Sequence, residues 1–199
     1  AGDVLITVRG NTRAILLAER TALNFFGHLS GIATLTSKWV AEVEGTKCQV
    51  RDTRKTTPGM RTIEKYAVRM GGGTNHRMNL SDAALIKDNH IAAAGGVVAA
   101  FAQVRAAYPE AEIEIEVDTL EQLKEILPQH PDLVLLDNLD PDQCAKAVAL
   151  VAGACKLEAS GGISIANARA FAQAGVDYIA IGALTHSAPV FDIGLDLRA

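Results

Sequence analysis

The chain has 199 residues, 49% apolar and 21% charged, which suits one domain with a full core and excludes a disordered tail or a fibrous repeat. No apolar run reaches the roughly 18 residues of a membrane span, so no membrane partner is expected. The net charge of −4 is uneven: residues 47–90 hold nine basic and four acidic side chains, residues 91–199 six basic and fifteen acidic. A cationic block within an acidic remainder fits a small anion in a pocket better than a nucleic acid. Aromatics, at 5%, offer little for base stacking. Cys48, Cys144 and Cys155 are an odd, scattered set that predicts neither a disulfide framework nor a zinc site, and points to a reducing cytoplasm.

In chain order, Asp3–Gly10 reads as a strand running to a turn, and Arg13–Gly45 as largely helical with a bend near Ser30-Gly31. An opening strand with no partner nearby reads as the end of another unit, so residues 1–45 are expected to be the end of an N-terminal domain plus a connecting helix. Apolar runs then alternate with helical patterns. Strands are predicted at Lys47–Asp52, Ala84–Lys87, Ile113–Val117, Leu133–Leu136, Lys156–Ala159 and Tyr178–Ile181. Helices are predicted at Ile63–Met70, Gly96–Tyr108, Leu120–Leu127, Pro141–Ala152 and Ile165–Ala174. Asp118-Thr119, Asp140-Pro141 and Ser164 are helix-start signals, and Gly153 and Gly175 sit where C-terminal glycines belong. Repeated strand–helix units predict an α/β protein with a parallel sheet. Without a GxGxxG after the first strand, an incomplete parallel barrel of about six strands is favoured over an open sheet. The barrel is expected over residues 46–185, with a C-terminal tail at 186–199 packing back toward the N-terminal part.

Active residues of parallel barrels gather where strands end, and here every predicted strand ends in polar residues. Arg54 and Lys55 follow an apolar strand and precede Pro58-Gly59. Two adjacent cations are commonly just a solvated loop, but with Lys87 at the next strand end they read as an anion site. Gly71-Gly72-Gly73 leads to His76-Arg77 and lacks the GK[ST] of a nucleotide loop; it predicts close backbone approach that brings the pair over the barrel mouth. His76 fits a carboxylate donor and a structural histidine equally well. Glu112, Glu114 and Glu116 alternate with Ile113, Ile115 and Val117, so the acids share one strand face and point into a polar interior. There they can balance Lys55 and Lys87, or hold a divalent cation, with Glu116 and Asp137 the pair suited to magnesium. Ser160-Gly161-Gly162 and Ile181-Gly182-Ala183 can offer backbone N–H groups to a phosphate. Either alone could be a tight turn; together they favour phosphate.

Several motifs resemble quinolinate phosphoribosyltransferases: Glu19-Arg20-Thr21-Ala22-Leu23-Asn24, Ser30-Gly31-Ile32-Ala33-Thr34, Asp52-Thr53-Arg54-Lys55-Thr56, Glu64-Lys65-Tyr66-Ala67-Val68 and Asn75-His76-Arg77. The match continues through Leu85-Ile86-Lys87-Asp88-Asn89-His90, Leu136-Asp137-Asn138, Glu158-Ala159-Ser160-Gly161-Gly162 and Gly182-Ala183-Leu184-Thr185-His186-Ser187. The resemblance implies an incomplete α/β barrel joined to an N-terminal α/β sandwich, of which this chain holds a remnant. It also implies a homodimer with shared active sites, or a higher oligomer built from it. The implied reaction joins quinolinate to phosphoribosyl pyrophosphate with magnesium, giving nicotinate mononucleotide, pyrophosphate and carbon dioxide in NAD biosynthesis.

By motif position, Arg20 would reach the neighbour's quinolinate, and Arg54, His76, Arg77 and Lys87 would contact this subunit's own. Lys55 would stand between the two substrates, beside Thr53, with Lys55, Lys87, Glu116 and Asp137 as the catalytic set. Glu116 and Asp137 would serve the ribose and the magnesium–pyrophosphate region, and Ser160, Gly161, Gly162, Ile181, Gly182 and Ala183 the 5′-phosphate. Because the implied N-terminal domain helps complete the neighbour's site, weak or no activity is expected of this chain alone. Two rivals are a nicotinate phosphoribosyltransferase, which handles one carboxylate, and a non-catalytic barrel that binds a phosphorylated metabolite. A Lys87 Schiff base would leave the arginines unexplained.

Overall fold

The computed structural model describes residues 2–197; Ala1, Arg198 and Ala199, at the ends of the expected first and last segments, lie outside the described residues. Helix α1 (Thr12–Val43) starts at Asn11, whose side chain accepts the Ala14 N–H at 3.2 Å. From Gly27 onward it buries Gly27, Gly31, Ile32, Thr36, Trp39 and Val43 as a stripe at helical spacing, and residues 12–26 include no buried residue.

Six strands follow: β1 (Gln49–Arg51), β2 (Ala84–Ile86), β3 (Ile113–Val117), β4 (Leu133–Asp137), β5 (Lys156–Ser160) and β6 (Tyr178–Ala180). Between and after them run α2 (Arg61–Met70), α3 (Asp88–Ala94), α4 (Val97–Ala107), α5 (Leu120–Ile126), α6 (Pro141–Val151), α7 (Ile165–Gln173) and the short α8 (Ala183–His186). All strand pairs are parallel, in the order β1-β6-β5-β4-β3-β2, so β1 and β2 are the two free edges of an unclosed barrel. The expected incomplete barrel is the observed one.

Strand alternation divides the core. On β3, Ile113, Ile115 and Val117 pack outward, among the helix residues Phe101, Leu123 and Ile126, while Glu114 and Glu116 face inward. Register carries this inner face around the barrel: Glu114 opposes Leu133, Leu133 opposes Lys156, and Glu158 opposes Tyr178. The interior is therefore polar, and the hydrophobic core is the layer between sheet and helices. Small residues on the helices, such as Ala100, Ala147, Ala168 and Ala172, let that layer close tightly.

Three expectations need correction. Residues 3–9 form no strand: they run without a ladder partner among the described residues, with Val4, Leu5, Ile6 and Val8 each more than half exposed. A β-prone run without a neighbouring edge has nowhere to place its backbone hydrogen bonds. At Ser30-Gly31, where a bend is expected, α1 runs on without a break. Gly31 instead makes room for the C-terminal strap, because a Cβ would overlap the Pro189 carbonyl, and the Phe191 N–H donates to Gly27 O at 3.0 Å. Finally, no helix is predicted between the strand ending at Lys87 and Gly96, yet Asp88–Ala94 forms α3, which His90 caps by accepting the Lys87 N–H at 2.9 Å.

Candidate active site

The supports of the site lie just below the strand ends. Asp52, directly after β1, and Lys65 of α2 are both fully buried and paired at 2.5 Å. The same carboxylate accepts the His76 N–H at 2.8 Å and Asn75 Nδ2 at 2.6 Å, and Lys65 donates to the His76 carbonyl at 2.8 Å. Burial pushes the Asp52 carboxyl up and the Lys65 amine down, and their pairing opposes both. This knot ties the glycine-rich connector to the end of β1. Beside it, buried Glu64 accepts the Thr57 N–H at 3.0 Å and faces His28 of α1 at 2.8 Å, so the loop after Arg54 is held from the long helix as well.

Arg54 and Arg77 project beside one another. The charge of Arg54, after burial, is what lowers the Arg77 guanidinium below its ordinary range. Each has a buried Nε with no acceptor, and Arg77 Nη1 donates to the Ala83 carbonyl at 2.8 Å. Two adjacent guanidiniums with unfilled donors form a site for a carboxylate-bearing anion.

His76 turns into the barrel. Its Nδ1 accepts the Arg77 N–H at 2.7 Å, and its Nε2 stands 2.8 Å from Glu114 Oε2 and 3.7 Å from Glu158 Oε1. Burial keeps the ring's pKa below its ordinary value. Glu158 also accepts from Arg51 Nη1 at 2.7 Å, and the Arg51 guanidinium lies 4.0 Å over the Tyr178 ring. Burial raises Glu114 and Glu158 each to about 7. Of the three expected acids, Glu112 differs: it precedes β3 and is exposed.

At the C-terminal mouth, Lys87 Nζ donates to Glu116 Oε2 at 3.2 Å. Carboxylate oxygens of Glu116, Asp118 and Asp137 lie within 4.8 Å of one another. Burial and the Asp118 charge raise the Asp137 carboxyl, a crowding of like charge that a divalent cation would relieve. The donor set, hard oxygens beside a lysine, fits magnesium.

Two cavities result. One, of about 220 Å³, is lined by Thr53, Lys55, Ser160–Ile163, Ala180–Ala183 and His186, so the two expected phosphate loops and Lys55 share one space. A Cβ on Gly182 would stand 3.0 Å from the Lys55 side chain and 3.3 Å from His186 Nε2. Gly161 has φ +84°, and a Cβ there would overlap Asn138 Oδ1. The other cavity, about 340 Å³, lies toward the N-terminal ends of β2–β4; Arg51, His76, Arg77, Asp82, Glu112 and Glu114 are among its lining. Arg20 stands apart from both, exposed on the unpacked half of α1.

Sequence reasoning missed several contributors. His186, one turn beyond a glycine loop, needed the fold to reach Lys55. Arg51, Asp52, Lys65 and Glu158 carried a usable signal, since charged residues inside apolar strands or helices must find partners, but the partners are distant in the chain. Asp118 sits two residues beyond Glu116 and could have been found by the same alternation.

The family model described as quinolinate phosphoribosyl transferase, C-terminal domain, matches residues 32–196, and that of the N-terminal domain matches residues 1–30. Over 99% of its length the chain is 56% identical to a nicotinate-nucleotide pyrophosphorylase [carboxylating] of Mycobacterium leprae, covering 70% of that protein. It is 45% identical over 98% of its length to a probable one of Bacillus subtilis, covering 68%. Among solved structures, NadC from Streptococcus pyogenes superimposes with a TM-score of 0.93 at 46% identity, over 96% of this chain and 68% of that one. The chain thus spans about seven-tenths of these relatives, over an unclosed barrel that carries cationic side chains and two glycine loops, and it belongs to the quinolinate phosphoribosyl transferase family.

Proposed function

We propose that this chain transfers the phosphoribosyl group of phosphoribosyl pyrophosphate to quinolinate with loss of a carboxyl group, giving nicotinate mononucleotide, pyrophosphate and carbon dioxide for NAD biosynthesis. The observation that carries this reading is the pair Arg54 and Arg77, two half-buried guanidiniums close enough for the charge of one to depress the other. A dicarboxylate supplies acceptors to both. A single carboxylate would leave one guanidinium unfilled, which disfavours the nicotinate reading.

In this reading the glycine-lined cavity at β5 and β6 takes the 5′-phosphate, with Lys55 and His186 at its edge. Lys55 and Lys87 offset charge between the two substrates. Glu116, held by Lys87, stabilises the positive charge that develops on the ribose as pyrophosphate departs. The pyridine nitrogen then forms the new bond to the ribose. The ring, now cationic, accepts the electron pair of the breaking carbon–carboxylate bond, and that carbon takes up a proton as carbon dioxide leaves. The enzyme positions and compensates charge, with no covalent nucleophile. Glu116, Asp118 and Asp137 would hold magnesium, which shields pyrophosphate oxygens when bound.

Residues 46–185 are the catalytic barrel in this proposal. A homodimer is supported by the apolar residues Leu16, Leu17, Phe25 and Phe26, left exposed on the helix that carries Arg20. No single described helix is long and apolar enough to cross a membrane, and the three cysteines are free thiols, in keeping with a cytoplasmic enzyme. The test is release of labelled carbon dioxide from carboxyl-labelled quinolinate. Weak or no release is expected of this chain alone, and release that requires both phosphoribosyl pyrophosphate and magnesium once the N-terminal residues of a relative are joined to it. A chain that binds neither substrate, alone or joined to the N-terminal residues of a relative, would overturn the reading.

A further inference from the structure

Arg54 and Arg77 come from two separate segments, the loop after β1 and the connector after the glycine run, and like charges side by side repel. Helix α2 holds both segments. Its Lys65 ties Asp52 to the His76 carbonyl, one cross-tie placed just before the two arginines. One helical turn earlier, on the same face of α2, stands Arg61. Its Nε donates to Thr56 Oγ1 at 3.1 Å and its Nη1 to the Met78 carbonyl at 3.1 Å. Its Nη2 also points to the Arg54 carbonyl, at a longer 3.5 Å. The Met78 N–H is taken by Asp82 Oδ2 at 2.7 Å, so that residue is fixed at both its N–H and its carbonyl. Arg54 therefore lies between Asp52 and Thr56, and Arg77 between His76 and Met78, with a cross-tie on either side of the pair. Arg61 lines neither cavity.

We propose that Arg61 is a positioning residue: its guanidinium fork joins the segment of Arg54 to the segment of Arg77 and so keeps the two side by side for the substrate carboxylates. The planar fork matters more than the charge, because two acceptors on different segments must be reached at once, which a single ammonium does poorly. Lys65 is fully buried and Arg61 only half-buried, so losing Arg61 should loosen the pair without unfolding the barrel. The carboxylate-bearing substrate should weaken and the phosphate-bearing one should change little. The name of the substrate rests on the quinolinate reading; the cross-tie does not.

The experiment compares the wild-type chain with Arg61→Lys and Arg61→Gln. Calorimetric Kd for quinolinate should rise about tenfold in both variants, the scale of one lost hydrogen bond, while that for phosphoribosyl pyrophosphate stays within about threefold. With the N-terminal residues of a relative joined on, quinolinate KM should rise by the same factor and kcat should change less than about threefold. Amide exchange followed by mass spectrometry reads the cross-tie without any substrate. Exchange over residues 53–57 and 76–80 should speed up together in both variants, with β4 and β5 unchanged. Full quinolinate affinity in Arg61→Lys would overturn the proposal, as would equal loss for the two substrates or faster exchange in one segment alone. Should the wild-type chain bind no quinolinate, the substrate is refuted and exchange decides the rest: a joint rise keeps the cross-tie, and no rise sinks it.

Discussion

In the proposed function the two sides of the site recognise anions with different materials. Around β1 to β3 the donors are side chains, Arg54, Arg77 and Lys87; the loops of the two arginines rest on buried groups from other elements, Asp52 with Lys65 and Glu64 with His28, and Lys87 pairs with Glu116. Around β5 and β6 the lining is largely main chain and glycine, with Lys55 and His186 at the edge. The difference follows from what each must bind. A planar dicarboxylate is distinguished by where its charges lie, so the guanidiniums must be held rigidly, which takes a supporting layer of charge. A tetrahedral phosphate can be taken by N–H groups at strand ends, where the need is space rather than support.

The supporting layer is where the contrast can be broken most severely. Lys65→Met leaves Asp52 buried without its cation and should cost about 3–5 kcal/mol by urea denaturation. A loss below about 1 kcal/mol would mean the knot is not needed to hold the connector. Arg54→Ala should next raise quinolinate KM about 100-fold, roughly 2.7 kcal/mol, while phosphoribosyl pyrophosphate KM changes little. Steady-state kinetics varying each substrate in turn reads this, and parallel shifts in both constants would erase the division between the halves.

On the glycine side, Gly161→Ala places a Cβ at φ +84° against Asn138. It should cost about 1–2 kcal/mol from backbone conformation alone and weaken phosphoribosyl pyrophosphate before quinolinate. Unchanged affinity for the phosphate substrate would remove that loop from the site.

The last effect is on pH dependence. Glu158 titrates near 7 in the folded chain against an ordinary value of 4.5, so between those values the folded state binds more protons than the unfolded state. Stability from this group is therefore full below about 4.5 and declines as pH rises toward 7, by about 1 kcal/mol per pH unit. Glu158→Gln should flatten that decline in denaturation curves taken from pH 5 to 7. An unchanged slope would show that the carboxyl is ionised throughout.

Much of the barrel was legible because its signals are local. Ile113–Val117 alternates, Asp140-Pro141 caps a helix, and five of the six strands run into polar residues; all six strands were found within two residues at their ends. Residues 3–9 misled for a physical reason: strand propensity describes a side chain's fit to a sheet, and whether a sheet edge is present is a property of the whole chain. Ser30-Gly31 misled because glycine in a helix can mark a break or a close approach, and only the position of Pro189 and Phe191 decides between them.

From the sequence alone came the parallel barrel, the cationic segment and the two glycine loops, since each depends on neighbours in the chain or on periodicity, while the assignment of residues to particular substrates came from the family resemblance. Only the tertiary structure decided which charges are partners. Asp52 finds Lys65 and Glu114 finds His76 because burial makes an unpaired charge costly, and the partner that relieves it comes from another element. It likewise decided that His76 faces the barrel interior while Arg77 stands beside Arg54, a split between adjacent residues that follows from one main-chain hydrogen bond to an imidazole.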